Sequence, residues 1–492
     1  MHKSNVFFIA VLILTFANHS KGQATEKGLE ALLQDFDDNS EKFMNELPPK
    51  KFPAPVGLFS DEAIANKSYV AAKNKLRPFR GRAEVAANDR AENLVDNGDK
   101  LIRTLEEMDK KSLRSASLKE NPWSDHYWPY YSGEIAFRYA DDYFPLSKDW
   151  KVNRDYVLSH IAASSIASLS PAEKYDLLVG DSSQTLTRYA LSEGESLYKE
   201  SGVVAEWMGI CHGWAPAAYM LLRPTHSIKV MTAKGYDITF YPSDIKALAS
   251  LLWANASTPT KFIGGRCNVR DPKTDENGRV IDQDCFDSNP GTWHLVVVNQ
   301  IGINKRAFVI DATYDYEVWN QPVYAYSYQF YNPQTLKPVN TIAEATVDMK
   351  NFTHDKFSKY RSKKSVAVVG ISMDVTYTLE TMPTATATNS SQNDASNTVN
   401  YQYDLELDSN KNIIGGEWYR NTHPDFIWTP IPKAIARTAG DELLVRAGTD
   451  KIPWTGKTPF PKEWVDAAQK TSKLSPLGIV VEALIQISQA GI

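Results

Sequence analysis

Four runs in the second half of the chain, HLVVVNQI, RAFVIDATY, SVAVVGISMDVTYTLE and NYQYDLELD, are rich in β-branched or alternating residues and read as strands. Only GINKR joins the first two, and strands linked by so short a turn must run antiparallel. A sheet of this kind is therefore expected. LSPAEKYDLLVGD carries a helix start, with Ser170 as N-cap, Pro171 as first helical residue and Glu173 closing a capping box. LDSNKNIIGGEWY reads as a hairpin, and two short helices are predicted around Pro461 and Pro476. The expected fold class is α+β.

The opening MHKSNVFFIAVLILTFANHSKGQA reads as a signal peptide over residues 1–22, with His2 and Lys3 ahead of an apolar run from Val6 to Ala17. That run is shorter than the roughly 20 residues a spanning helix needs, and the final LGIVVEALIQISQAGI is broken by Glu482 and Gln486. A secreted protein, extracellular or periplasmic, without stable membrane association is expected. The 492 residues are 42% hydrophobic, enough for a large core. Net charge is −5 with no long basic stripe, which argues against nucleic acid as a partner.

Residues 23–119 are charged and helix-prone, interrupted by ELPPKKFPAPVG, and read as a helical domain, a spacer or a pro-region. Residues 120–380 are expected to form the main core. TMPTATATNSSQNDASNT, residues 381–398, is polar and of low complexity, the pattern of a mobile loop or linker. Residues 399–492 supply the last strands and helices.

There are three cysteines. Cys267 and Cys285 flank NVRDPKTDENGRVIDQD, and in an oxidising compartment their pairing, worth about 3 kcal/mol by loop closure, is expected. Cys211 is left over. In GICHGWAPAAYMLLRP it stands at a helix start, after Gly209, with Pro216 in the first turn and Pro224 past the end. A thiol there is expected to have a lowered pKa and unpaired N–H groups beside it for an oxyanion. A lone cysteine more often merely packs, so its company decides. His294 opens one predicted strand and Asp311 closes the next, and the short turn places them side by side. A Cys early on a helix with a His and an Asp on adjacent strands is the arrangement of papain-like and transglutaminase-like enzymes. The expected core is thus a nucleophile helix packed on an antiparallel sheet, with Cys211, His294 and Asp311 catalytic.

His212 points about a hundred degrees away from Cys211 on a helix and is assigned a structural or substrate-lining role, as is Trp214. The indole of Trp207 or Trp293 is a candidate second oxyanion donor. Asp271, Asp275, Glu276, Asp282 and Asp284 leave a calcium site open, but Lys273 falls where an EF-hand needs its first acid. A hairpin with an Asn277-Gly278 turn and solvated acids is the simpler expectation.

GICHGWAPAA, NPGTWHLVVVNQIG and IDATYDYEVWNQPV resemble the transglutaminase elicitor family, secreted proteins of oomycete plant pathogens and some bacteria. VWNQPV, Val318 to Val323, is similar to the first half of the surface peptide by which plants recognise the oomycete members, and YAYSYQFYN after it departs from that peptide. WSDHYWPYYSG, LSPAEKYDLLVGD, IIGGEWY and HPDFIW extend the resemblance from about Trp123 to about Pro430. It implies a protein-glutamine γ-glutamyltransferase with Cys211 as nucleophile, Ca2+ as a possible cofactor, and proteins bearing Gln and Lys as partners.

In the expected reaction the Cys211 thiolate attacks a glutamine γ-carboxamide, His294 protonates the departing ammonia, Asp311 orients the imidazole, and a lysine amine resolves the thioester. Two rivals stay open. One is a cysteine peptidase or glutamine deamidase on the same fold, and the other a catalytically silent surface-recognition protein.

Overall fold

The computed structural model describes residues 89–160, 166–265, 273, 280–281, 285–313, 317–353, 355–420 and 423–491. The signal-peptide reading, Cys267, the five acids of the 271–284 segment and the Asn277-Gly278 turn lie outside the described residues.

The described strands are β1 (Ser115–Ser117), β2 (Ile228–Met231), β3 (Asp237–Phe240), β4 (Thr260–Gly264), β5 (Phe308–Asp311), β6 (Asn320–Asn332), β7 (Lys337–Val339), β8 (Thr346–Asp348), β9 (Ala367–Leu379), β10 (Ala395–Leu407), β11 (Ile413–Trp418) and β12 (Phe426–Pro430). Ten of them form one sheet with the path β11-β10-β9-β6-β5-β12-β4, onto which β1 and β7 pair at β6 and β8 pairs at β9. Every described pairing in it is antiparallel. β10 and β11 form the expected hairpin, and β2 with β3 form a separate one.

Side chains alternate across a strand, so the sheet divides two cores. On β5, Phe308 and Ile310 enter one core with Trp293, Tyr328 and Tyr403, while Val309 enters the other with Cys211, Trp214 and Trp253. Asp311 follows Val309 in parity, and Asn320 on β6 is its cross-strand partner. The Cys211 side of the sheet is covered by the helix Cys211–Met220, the fully helical run Pro242–Asn255 behind it, and the C-terminal helices. Gly213 permits the first two helices to touch, since a Cβ there would stand 2.7 Å from the Ala254 nitrogen.

The helix Pro171–Leu178 has the predicted capping box between Ser170 and Glu173. HLVVVNQI, however, is not a strand. It lies in the helix Pro290–Val297 and a π-helical turn, Val298–Ile303. Asn289 caps that helix by accepting from the Gly291 N–H, and Pro290 occupies its first position. The helix is buried on every side, so no amphipathic period marks it, and a short apolar run alone does not distinguish helix from strand. The hairpin expected to join His294 to Asp311 therefore does not exist.

Four smaller readings change. Pro216 is the sixth residue of the Cys211 helix rather than part of its first turn. In the 23–119 region, the described residues 89–119 do not stand apart: Leu94, Val95, Ile102, Leu105 and Met108 fill the second core, and β1 pairs with β6. The polar segment 381–398 is pinned. Asn389 N–H donates to the Thr225 carbonyl, Arg223 pairs with Asp394 at 2.5 Å, and β10 begins at Ala395. The C-terminal tail holds three helices, Ala439–Ala447, Lys462–Thr471 and Gly478–Ala490, instead of two. No helix among the described residues is long and apolar enough to cross a membrane.

Candidate active site

Cys211 is a free, buried cysteine and the first residue of its helix. The approach to it is fixed by the Ile210 N–H, which donates to the Tyr127 carbonyl at 2.8 Å. Gly209 is required there, because a Cβ would stand 2.6 Å from that same oxygen. Ile210, in the cap position, brings no side-chain acceptor to the first turn. The turn thus keeps N–H groups that intrahelical bonding does not use.

Three residues set the state of the sulfur. The thiol donates to the Val318 carbonyl, with Sγ 3.7 Å away. Asn320 Nδ2 donates to Sγ at 3.4 Å. Trp428 Nε1 in turn donates to Asn320 Oδ1 at 2.8 Å. Burial pushes the Cys211 pKa up to about 11, against the side-chain and backbone hydrogen bonds of Asn320, which lower it. This corrects the expectation of a lowered pKa, since loss of water around the sulfur outweighs the helix end.

Two carboxyls act on the thiol from nearby, Glu380 and Asp311, each raising its pKa. Glu380 is buried and accepts from Gln321 Nε2 at 2.7 Å, and burial raises it to about 7. Asp311 accepts from the Thr313 hydroxyl at 2.9 Å and from the Trp319 N–H at 3.0 Å. It thereby ties the end of β5 to the segment that carries Val318 and Asn320. Trp319 packs on the Tyr127 ring with centroids 5.2 Å apart, walling one side.

Of the predicted site residues, Cys211 and Asp311 share this side of the sheet and His294 does not. His294 Nδ1 lies 2.9 Å from the Tyr403 hydroxyl, and its ring meets Tyr328 edge-on in the second core. Burial there drives its pKa down to about 3. Trp293 shares that core, against Trp418 and Tyr401. Trp214 spends its indole N–H on the Trp123 carbonyl at 3.1 Å. His212 is exposed, and Trp207 half-buried. Cys285 is buried, and its expected partner Cys267 lies outside the described residues.

The segment similar to a surface peptide is largely inside this protein. Val318 and Trp319 are half-buried, and Asn320 through Val323 are buried as β6 begins. Among the described residues no three His, Cys, Asp or Glu side chains come together to hold a metal ion, and the acids of the 271–284 segment lie outside those residues. Sequence reasoning missed Asn320, Glu380 and Trp428. Each lies more than a hundred residues from Cys211, at no spacing that marks a site.

No curated protein matches the chain. It is similar to the crystal structure of the GP42 transglutaminase from Phytophthora sojae, at 22% identity and a TM-score of 0.48 over 69% of this chain and 89% of that one. The family model for the transglutaminase elicitor matches residues 97–445, well over half of the sequence, and the chain belongs to the transglutaminase elicitor family.

Proposed function

We propose that this protein is a secreted acyltransferase that joins protein glutamine to lysine or another primary amine through a thioester on Cys211. The observation that carries the reading is a free thiol on the uncapped first turn of a buried helix, with the Asn320 amide 3.4 Å from its sulfur.

In this reaction Cys211 Sγ bonds to the γ-carbonyl carbon and the tetrahedral oxyanion meets the first-turn N–H groups. The C–N bond then breaks, and the nitrogen leaves as ammonia carrying the proton lost by the thiol. An amine attacks the thioester, the C–S bond breaks, and the proton lost by the amine returns to sulfur. Glu380, raised to about 7 by burial, is the group here suited to hold that proton between steps. His294 has no part in this arrangement, because it faces the opposite core.

A second reading, a recognition protein whose thiol is silent, is favoured by the buried Cys211 with its pKa of about 11. The deciding experiment is incorporation of a fluorescent primary amine into a glutamine-bearing protein, for wild type and Cys211→Ala, with calcium and with chelator. Incorporation that disappears with Cys211→Ala supports acyl transfer. Ammonia release or peptide cleavage without incorporation, but needing Cys211, replaces it by deamidation or proteolysis. No chemistry at all supports recognition.

A further inference from the structure

We infer that Asn320 is a catalytic residue that stabilises the Cys211 thiolate, and that Trp428 is the positioning residue that fixes its amide. The inference rests on the acyl-transfer reading above and adds two residues to it.

An indole N–H is a donor and nothing else, so the atom of Asn320 that faces Trp428 Nε1 at 2.8 Å must be Oδ1. The amide is thereby locked, and Nδ2 must face the sulfur, where it lies 3.4 Å from Sγ. A buried amide held in this way presents a donor to a group that gains negative charge when the thiol ionises. That contact opposes the desolvation of the thiolate. Strand register supports the placement: Asn320 opens β6 opposite Asp311, and Asp311 holds Trp319 N–H, the residue just before it. Trp428 lies on β12, which pairs with β5, so three neighbouring strands bring the relay to the helix start.

The experiment measures two quantities in the full chain: the rate of Cys211 alkylation by iodoacetamide at pH 8, and kcat and KM for amine incorporation. Well below the thiol pKa the alkylation rate follows the thiolate fraction, so it reports the donor without requiring turnover. Asn320→Ala is expected to slow alkylation about tenfold and to lower kcat on the order of 100-fold, with KM unchanged. Asn320→Asp keeps the acceptor for Trp428 but removes the donor, and is expected to fall as far. Trp428→Phe keeps an aromatic side chain but removes the N–H that holds the amide, and should lower both rates several-fold.

Wild-type alkylation rates in folded Asn320→Ala and Asn320→Asp would overturn the inference. Should neither fold, an unchanged rate in Trp428→Phe overturns it and a reduced rate supports it. Amine incorporation with an unmoved alkylation rate leaves acyl transfer standing and removes Asn320 from it. A slowed alkylation in a protein that transfers nothing keeps the thiolate role and removes the acyl-transfer reading.

Discussion

The Sγ of Cys211 lies 3.7 Å from the Val318 carbonyl oxygen, and the thiol donates its hydrogen there. A carbonyl only accepts, so this contact exists for the protonated thiol alone and is lost on ionisation. With the pKa pushed to about 11, alkylation of the folded protein is expected to rise about tenfold per pH unit across the range from 7 to 10. In urea the same curve should bend near the ordinary thiol value of 9.0. A plateau in the folded protein below pH 8 would show a thiolate already stabilised at rest.

Glu380 offers a signature in which two rates move apart. Its charge raises the thiol pKa, and at pH 8 a group raised to about 7 is mostly ionised. Glu380→Gln removes that charge, so alkylation at pH 8 should become faster. In the proposed reaction the same change removes the group that holds the proton, so amine incorporation should fall on the order of 100-fold. If both rates move in the same direction, Glu380 acts through local packing instead.

His294 is buried, neutral and hydrogen-bonded with the Tyr403 hydroxyl, in the core on the other side of the sheet from Cys211. Folded His294→Gln is therefore expected to alkylate at Cys211 at the wild-type rate. The histidine pKa is depressed from 6.5 to about 3, so its stabilising contribution is present above 6.5 and is lost as pH falls toward 3. At pH 7 the variant should be less stable by about 1–3 kcal/mol, from the broken buried hydrogen bond. That gap should narrow between pH 6.5 and pH 4, as measured by urea unfolding at each pH.

The sequence made the scaffold legible where local chemistry was unambiguous. Ser170, Pro171 and Glu173 form the expected capping box, β9 and β10 are the long alternating strands, and Cys211 does begin its helix. It misled at HLVVVNQI, where eight residues, five of them apolar and all of them buried, carry no helical period and Asn289-Pro290 was the overlooked helix start. That one error moved His294 from a strand beside Asp311 into the opposite core. Asn320 and Trp428 were illegible for a different reason. Their meeting depends on the order β6-β5-β12, which sets strands distant in the chain side by side, and no local pattern reports that order.

Gly213 tests the contact that seats the Cys211 helix. On an isolated helix Gly→Ala gains about 1 kcal/mol. Here a Cβ would stand 2.7 Å from the Ala254 nitrogen and 2.6 Å from the Ala254 Cβ, and backbone of the facing helix has no rotamer by which to yield. Overpacking of this kind costs about 1–3 kcal/mol, so Gly213→Ala is expected to lower stability despite the better propensity. The urea midpoint measures the sign. Because Gly213 lies in the turn that begins at Cys211, the adjustment would disturb the Cys211–Asn320 contact, and alkylation should change as well.

Glu406 lies among charges that do not balance. Arg361 is the cation facing it, 3.7 Å away and already bound to Asp404 at 2.5 Å, while Asp404 and Glu417 add negative charge. Burial and those two carboxylates raise Glu406 to about 8, although the Ser362 N–H donates to it. A carboxyl whose folded pKa lies above its ordinary 4.5 contributes stability that is fully present below 4.5 and is lost as pH rises to about 8. Glu406→Gln keeps the shape and cannot ionise. Its stability relative to wild type should therefore climb from about pH 4.5 and level off above about pH 8. A difference that is flat across that range in paired urea titrations would mean that Glu406 is already ionised in the folded protein at neutral pH, its charge held by Arg361.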